Sequence, residues 1–418
     1  MKKKNTWKTL LRKPFFWVLA CFGFMALFAD FLASDLPIYA KLDEKNRFPI
    51  LEKKASDWQL IQTKAELNSG TFWQNAESAV WAPVRYSSKQ TDRDNDRFKK
   101  PHFLREDAPK NAPHYLGTDE LGHDVAAILI HGAGIAFLIG ILSMLLAASI
   151  GLMMGAAAGF WADNRLKASF LQISWAVLGI TALYFYGFKV QAPALHEGLN
   201  LGGMAFISAV GKMLLVLLFL GVFFMVIGTR LKWLSLGKKI AIPLDFILSR
   251  FIEFMAVLPK IILILAISAL FKPSVLLPAL VIGISSWTGI ARFTRAEMLR
   301  VRNMEYMRAA ETLGLSEFRL FFRHALPNCI NPLPSLLAFG IAGAVLAEST
   351  LSYLGIGIPP DVFTWGKLLS QGRVNPSAWW VSLLPGLLIF LTVFSFHRLG
   401  EYLNEKPGHT RSFYRYFW

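Results

Sequence analysis

The chain has 418 residues, 54% of them hydrophobic and 14% aromatic, and its formal net charge at pH 7 is +16. Soluble domains average about 45–50% apolar residues, and the excess here lies in long stretches without Asp, Glu, Lys or Arg, which excludes an ordinary soluble enzyme. The positive charge lies mainly in short segments between these stretches, so it indicates membrane topology instead of a nucleic-acid-binding surface.

Hydropathy predicts an all-α polytopic membrane protein with about eight transmembrane helices. Each apolar stretch approaches or exceeds the ~20 residues that cross the ~30 Å hydrocarbon core as a helix. The second stretch is too long for one straight crossing, so we expect it to tilt or to begin with a turn near His131. The predicted spans are residues 14–34, 128–160, 168–188, 205–228, 251–271, 274–291, 333–354 and 378–397.

Basic residues predict the orientation of these spans. Lys and Arg are sparse in the short segments 189–204, 272–273 and 355–377 and concentrate in 1–13, 163–167, 230–250, 292–332 and 398–418. By the positive-inside rule both termini are cytoplasmic, and the long segment 35–126 is extracytoplasmic. The first span could instead be a cleaved signal peptide, but its apolar part is longer than a usual signal core, which favours a retained anchor.

The cytoplasmic segment 292–332 is predicted to form two short helices around a turn. Asn303 can cap the first helix, and Glu305 in its first turn is favoured by the helix dipole. Gly314 can end this helix in a left-handed conformation. Ser316 can cap a second helix that reaches Ala325 and ends at residues 326–328.

Two neighbouring alanines suggest a docking role for the first of these helices. Ala309 and Ala310 leave little side-chain bulk, so the backbone of another protein could approach closely in a helix-in-groove contact. The alternative is an amphipathic loop on the membrane surface, with its arginines near lipid phosphates.

Several motifs in this region resemble one family. The sequence EYMRAAETLG at 305–314, followed after nine residues by HALPN at 324–328, resembles the EAA loop of ABC importer permeases, in the form found in the dipeptide/oligopeptide (OppC/DppC) permeases. Further matches to this family, in the same order along the chain, are LGTDELGHD at 116–124, ARFTR at 291–295, and ESTLSYLGIG at 348–357 with WG at 365–366.

The N-terminal half is also similar to the YejE-type branch of these permeases. The segments that carry this resemblance are ASDLPI at 33–38, VWAPVR at 80–85 and RFIE at 250–253 before Pro259. Three features depart from the family pattern: Arg308 stands at a usually acidic position, His123 at a position that is commonly Arg, and residues 168–228 add two spans.

The resemblance implies a six-helix type I importer permease core plus two inserted helices. The implied organisation is an N-terminus and first span (1–34), an extracytoplasmic loop (35–126), a second span (127–162), two extra spans (163–230), a permease core (231–398) with the coupling loop 292–332, and a cytoplasmic tail (399–418). Trp58, Trp73 and Trp81 predict a small apolar core for the outer loop without specifying its fold.

The resemblance also implies roles for individual residues. Asp119, Gly122 and Asp124 would dock the binding protein. A metal site among His114, Asp119, His123 and Asp124 is the less favoured alternative. The residues implied in coupling to an ATPase are Glu305, Arg308, Ala309, Ala310, Gly314, Leu326 and Pro327.

The implied partners are a second, OppB-like permease subunit, two cytoplasmic ABC ATPase subunits, an extracytoplasmic substrate-binding protein and the lipid bilayer of the bacterial inner membrane. ATP and Mg would bind to the ATPase subunits, and no cofactor, metal or nucleic acid to this chain. The chain contains no G-x-x-x-x-G-K-[ST] phosphate loop, which agrees with a non-enzymatic role.

Polar residues inside the predicted spans are candidates for a translocation path, because charges at membrane depth are costly. Glu253 and Lys260 would share one helical face two turns apart, and Glu348 lies near Ser352. The alternatives are an interfacial Glu253, a Lys260 paired within the bundle, and helix–helix hydrogen bonds at Glu348.

Peptides are the favoured cargo, with nickel or another small solute as the alternative within the family.

Two other classes of membrane protein compete with the interpretation as an importer subunit. A membrane enzyme could use His102 and His114 in the outer loop, although no catalytic motif accompanies them. A stand-alone secondary transporter often shows internal inverted repeats, and the two halves of this chain have no convincing similarity.

Overall fold

The computed structural model describes residues 10–42, 45–57, 72–75, 78–91, 97–102, 113–163, 167–201, 203–230 and 240–405. The chain divides into two compact units. The first comprises the residues up to Ile141 together with Ala338–Tyr402, and the second comprises Leu142–Leu337 with the residues from Leu403.

Helices dominate the described part of the chain. Two π-helical segments, Leu183–Lys189 and Leu320–Ala325, extend α5 and α12. The helices are α1 (Pro14–Leu27), α2 (Ala29–Leu32), α3 (Pro49–Asp57), α4 (Val125–Trp161), α5 (Phe170–Ala182), α6 (Ala192–Leu201), α7 (Gly203–Arg230), α8 (Leu244–Val257), α9 (Lys260–Leu270), α10 (Leu276–Arg302), α11 (Glu305–Thr312), α12 (Glu317–Arg319), α13 (Leu326–Cys329), α14 (Leu333–Tyr353), α15 (Trp365–Gln371) and α16 (Trp379–Asn404).

The helices confirm the prediction of an all-α polytopic membrane protein. All eight predicted segments contain apolar helix. Among the described residues, six helices are long and apolar enough to cross a membrane, and the pair α8–α9 makes a seventh if it is one broken span. The remaining segment contains α1, an apolar helix of 14 residues.

One of the two alternatives for the second span is wrong, and the fifth span is bent at Pro259, where a proline can kink a helix. Helix α4 is continuous from Val125 to Trp161, so no turn occurs near His131. The segment 251–271 is not one straight helix, because α8 and α9 are bent by 81° at a short break. Leu258 and Pro259 are extended there, and a proline cannot donate the backbone hydrogen bond that would continue α8.

The segment before α4 contains a small antiparallel sheet in the order β2-β1-β3, formed by Lys45–Arg47, Pro37–Leu42 and Ser78–Trp81. Leu36, Ala40, Ile50 and Trp73 form its buried core. Trp73 is 1% exposed, so the predicted tryptophan-containing core exists at this position. Trp58 lies outside the described residues.

The inserted residues form helices α5 to α7, which pack mainly on one another. Trp175 donates a hydrogen bond from Nε1 to the Phe224 carbonyl oxygen at 3.1 Å, and Gly179 lies against the Phe224 ring. Few of their apolar side chains are buried within the chain. That exposure suits helices that face lipid.

Candidate functional site

The end of α10 leads directly into residues 305–329 of the predicted coupling loop, here called the coupling segment. The Asn303 side chain donates a hydrogen bond to the Leu299 carbonyl oxygen at 3.0 Å, so it closes α10. Met304 is the N-cap residue of α11, and its side chain makes no capping bond. The prediction that Asn303 caps the first coupling helix is therefore wrong. The side-chain amide of Asn303 donates to a carbonyl oxygen of the preceding helix α10, and the N-cap residue of α11 is Met304.

Helix α11 is anchored by one face and exposed on the other. Met307 and Ala310 are buried against Phe160 and Met298. Glu305, Arg308 and Ala309 are exposed. The two alanines therefore do not form a single open face as predicted, because successive residues are about 100° apart around a helix. Ala309 alone presents a small side chain outward.

Gly314 ends this helical region in the predicted left-handed conformation, with φ +72°. Ser316 is the N-cap residue of α12 but makes no side-chain capping bond. Helical structure continues through the π-helical segment and α13 to Cys329, so the predicted end at residues 326–328 is wrong. Leu326 is half-buried against the core, and Pro327 is exposed.

Aromatic contacts fix the second coupling helix to the end of α4. The rings of Trp161 and Phe321 stack at 4.9 Å, and Trp161 donates a hydrogen bond from Nε1 to Glu317 at 3.2 Å. The thiol of Cys329 donates to the Thr294 carbonyl oxygen at 3.5 Å, and burial raises the pKa of this thiol to about 12. The coupling segment is thus packed onto two predicted spans and can move with them.

An ion pair that the sequence did not predict joins α8 to α10. The Arg295 guanidinium donates two hydrogen bonds to the Asp245 carboxylate, the one from its terminal nitrogen being 2.6 Å long. Asp163 accepts a 2.9 Å hydrogen bond from the backbone N–H of Phe246. The N-terminus of α8 is therefore held by the helix that carries the coupling segment.

In the first unit, the LGTDELGHD motif folds around a buried carboxylate. Asp119 Oδ1 accepts hydrogen bonds from the backbone N–H groups of Leu121 and His123 at 2.9 and 2.7 Å. The His123 ring and the Gln371 amide approach Asp119 Oδ2 at 3.0 and 3.1 Å. The motif thereby joins the segment before α4 to α15.

A second pair completes this motif. Asp124 lies 2.8 Å from His114 Nδ1 and accepts a hydrogen bond from the backbone N–H of Ala127 at 2.8 Å, at the start of α4. The Tyr86 ring stacks on His114 at 4.1 Å. The carboxylates and imidazoles proposed as an alternative metal site are thus hydrogen-bonded in two pairs.

The expected contact of this motif with a binding protein requires a correction. Asp119 and Asp124 are fully buried, and Gly122 is buried as well. Their side chains serve the internal network, so they cannot touch a docked protein directly in this conformation. The neighbouring Leu121 is 57% exposed and could make such a contact.

The network predicts a specific pH dependence at Asp119. Burial opposes ionisation of the Asp119 carboxyl. The hydrogen bonds and charge of His123, together with the hydrogen bond from Gln371, outweigh this effect, so the pKa of Asp119 lies below its ordinary value of 3.8. The native state therefore binds this proton less readily than the unfolded chain. The stabilising contribution is present above about pH 4 and is lost as the pH falls through the depressed native pKa.

We expect Asp119→Asn to lower the free energy of unfolding by about 1–3 kcal/mol at pH 7. The difference from wild type should shrink as the pH falls below about 4. Thermal melts of the purified protein at a series of pH values measure this difference. A constant difference down to pH 3 would contradict the assigned role of the ionised carboxylate.

The predicted path residues of α14 lie together in a packed interior. Glu348 is 1% exposed, and its carboxyl accepts hydrogen bonds from Ser352 at 2.6 Å and Ser349 at 3.3 Å. Thr364, directly before α15, also interacts with it. Both serines belong to α14 itself, so of these three interactions only the one with Thr364 joins Glu348 to another element.

The other two predicted path residues are not brought together. Glu253 lies in α8 and pairs with Arg250 at 2.6 Å, whereas Lys260 is exposed at the start of α9. The 81° bend between the helices removes the common face that their spacing predicted.

The WG motif explains how α15 packs closely against its neighbours. Trp365 is fully buried and donates a hydrogen bond from Nε1 to the Leu129 carbonyl oxygen at 2.9 Å. A Cβ atom at Gly366 would lie 2.2 Å from the Ser349 carbonyl oxygen, so only glycine fits. The end of α15 and the adjoining helices α14 and α16 line an open cavity of about 500 Å³.

Sequence comparison shows which known proteins the chain is similar to. Residues 234–408 match the family described as the inner membrane component of binding-protein-dependent transport systems. The chain is 25% identical over 405 residues to the peptidoglycan transport system permease protein YejE of Agrobacterium fabrum, which covers 90% of this chain and 83% of that protein. It is 25% identical over 389 residues to the inner membrane ABC transporter permease protein YejE of Escherichia coli, covering 90% and 89%.

A shorter part of the chain matches another relative at higher sequence identity. The chain is 38% identical over 164 residues to a candidate peptide transport system permease protein of Brucella suis. This match spans 38% of the chain and 55% of the length of that relative. Residues 234–408 therefore form a domain of this transport-component family, and the weaker similarity to the two YejE permeases extends over 90% of the chain.

Proposed function

We propose that the chain is a transmembrane permease subunit of an ATP-driven importer, which carries peptides across the bacterial inner membrane. The observation that supports this most directly is the coupling segment, Glu305–Cys329. One side of it is buried against α4 and α10, and the other side is exposed in a region with many polar residues. Such an element can transmit force from a partner to the helices that hold it.

The exposed side of the segment suits a protein partner. Leu313 is 81% exposed, Phe318 is 54% exposed and Phe322 is 48% exposed. The rings of Phe318 and Phe322 stack at 5.7 Å. Ala309 and Leu313 are one helical turn apart beside Arg308, and a groove on a cytoplasmic ATPase subunit would bury such exposed apolar groups.

The complete assembly would contain a second, OppB-like permease, two ATPase subunits and an extracytoplasmic substrate-binding protein. ATP and Mg would bind to the ATPase subunits. Closure of these subunits would move α11 as a rigid body, and α10 would pass the movement to the core. The basic segments favour cytoplasmic termini and an extracytoplasmic sheet before α4.

Peptides are favoured as cargo because the relatives are named for peptide or peptidoglycan transport. Peptidoglycan contains short peptides with free carboxylates, so both names share one ligand chemistry. A nickel site would require imidazole, thiolate or carboxylate ligands, and among the described residues none of these groups lines the cavity of the first unit, whose polar lining groups are hydroxyls and one arginine.

Co-purification tests the proposed assembly. The tagged chain, extracted in mild detergent, should elute with a second permease and with ATPase subunits that contain phosphate-loop motifs, as identified by mass spectrometry. ATP turnover should accompany the complex and should be lost on deletion of residues 303–325. A chain that elutes alone, without ATPase activity, would refute the proposal.

A matched pair of substitutions at Ala309 tests the docking surface. Ala309→Trp should lower the amount of co-purified ATPase by about tenfold or more, which corresponds to a loss of about 1.4 kcal/mol in binding free energy. Ala309→Ser should leave it nearly unchanged, because the side chain stays small. Both variants should insert normally, since Ala309 is exposed. Equal recovery of ATPase from both would exclude Ala309 from the contact.

A further inference from the structure

The cavity in the first unit has one cationic group and several hydroxyls. The Arg373 guanidinium lies over the Tyr353 ring, 5.5 Å from its centre. Ser349, Thr350 and Ser382 also line the cavity. No Asp or Glu is among its lining residues. An arginine carries its charge at all physiological pH values and binds carboxylates through two parallel hydrogen bonds.

The apolar part of the lining comes from aliphatic side chains. Leu346, Leu369 and Ile389 are among the lining residues, and Leu346 is 52% exposed and therefore accessible. Glu348, the acidic residue nearest in sequence, is 1% exposed and hydrogen-bonded to serines. The cavity therefore combines a positive group, neutral hydrogen-bonding groups and an apolar wall.

We propose that this cavity binds the C-terminal residue of a transported peptide, with Arg373 holding the terminal carboxylate. The inference rests on the proposed peptide-import function and assigns part of its substrate site. The volume of about 500 Å³ lies within the range of about 300–1,000 Å³ that is usual for small-molecule sites. The hydroxyls of Thr350 and Ser382 can bond the last peptide unit, and the aliphatic wall can accept an apolar side chain.

The site can be tested by protection of an introduced cysteine. Thr350→Cys places a thiol in the cavity, on a background with Cys21→Ser because Cys21 is exposed. The native Cys329 is buried and its raised pKa keeps it protonated, so it should react slowly. The assembled transporter in phosphatidylcholine vesicles is labelled with N-ethylmaleimide in the presence of trialanine or of trialanine amide.

We expect trialanine to slow the labelling of the cavity cysteine and trialanine amide to have little effect. Adding Arg373→Gln should raise the trialanine concentration for half-maximal protection by about tenfold or more. Arg373→Lys, which keeps the charge, should retain part of the protection. A cysteine at the exposed position Leu121, outside the cavity, should show no peptide effect. Lys89→Gln, which removes another cation, should also leave protection unchanged.

Equal protection by the acid and the amide, or protection that survives Arg373→Gln, would overturn the assignment. Slower labelling in phosphatidylglycerol vesicles without any peptide effect would identify a lipid headgroup as the ligand and would also overturn it. ATP-dependent uptake of labelled trialanine by wild type is measured separately. Uptake without protection rejects this site alone, whereas protection without uptake supports the site and rejects the import function.

Discussion

Replacing Gly155 by valine should prevent the second unit from folding. Helices α4 and α10 approach each other so closely that a Cβ atom at Gly155 would lie 2.3 Å from the Ala291 carbonyl oxygen. Similar approaches of 2.7 Å occur between Gly151 and Trp287 and between Gly159 and Arg295. The obstructing atoms belong to the backbone, so a rotamer change cannot make room. Glycines four residues apart are a common means of bringing membrane helices into direct contact.

The expected cost is at least about 3 kcal/mol, the upper end of the usual range for overpacking. We expect Gly155→Val to reduce the yield of monodisperse protein in detergent size-exclusion chromatography to a small fraction of the wild-type yield. Gly221→Val is the matched control, because it makes the same change in a predicted span where nothing lies within 4 Å of the added Cβ. Its yield should stay near that of wild type.

Two other results would count against this interpretation. Normal yield and thermal stability of Gly155→Val would show that the helices can separate without cost. Equal loss in both variants would assign the effect to valine in a helix, whatever its surroundings. The comparison therefore isolates the close approach of α4 and α10, the helices on which the coupling segment is packed.

The sequence predicted the membrane helices well because their signal is local. Every predicted span contains apolar helix, since burial in lipid requires about 20 consecutive apolar residues. Pro259 marks a position where a span can kink, but hydropathy does not give the 81° angle of the bend. A proline in an apolar segment is compatible with a straight helix, a kink or a break, and tertiary contacts select among them.

The site was predicted less completely because it depends on contacts between distant residues. The sequence indicated two short helices and a left-handed Gly314, but it could not show that Ala310 faces inward while Ala309 faces outward. The pair Asp245–Arg295 joins residues 50 positions apart. Aspartate is a residue type that usually lies at the protein surface. Asp119 is nevertheless fully buried, because Gln371 and His123 form hydrogen bonds with its carboxylate oxygens. No local pattern indicates such partners.

Replacing Gly314 by valine should uncouple ATP hydrolysis from transport while leaving insertion intact. Gly314 has φ +72°, and nothing lies within 4 Å of a Cβ atom added there. The effect of a substitution is therefore confined to the backbone. The left-handed conformation costs an ordinary residue about 1–2 kcal/mol, and a β-branched residue is among the least tolerant of it.

This cost is small compared with that at Gly155, but its location makes it important. Gly314 sets the angle between α11, which would meet the ATPase, and α12, which is bonded to Trp161 through Glu317. A change of angle would disturb both contacts at once. We expect uptake of peptide by Gly314→Val to fall by about tenfold or more, on the scale of about 1.4 kcal/mol per factor of ten, with normal amounts of protein in the membrane.

Gly314→Asn provides the decisive comparison, since asparagine adopts the left-handed conformation more readily than any β-branched residue. The Gly314→Asn variant should retain most of the wild-type peptide uptake, although the asparagine side chain is larger than that of alanine. ATPase activity and uptake are measured on the same reconstituted complexes, so that a loss of coupling is distinguished from a loss of assembly. Equal uptake by the valine and wild-type complexes would mean that the turn at Gly314 is not needed for force transmission, and the coupling role would then have to lie in the packed helices alone.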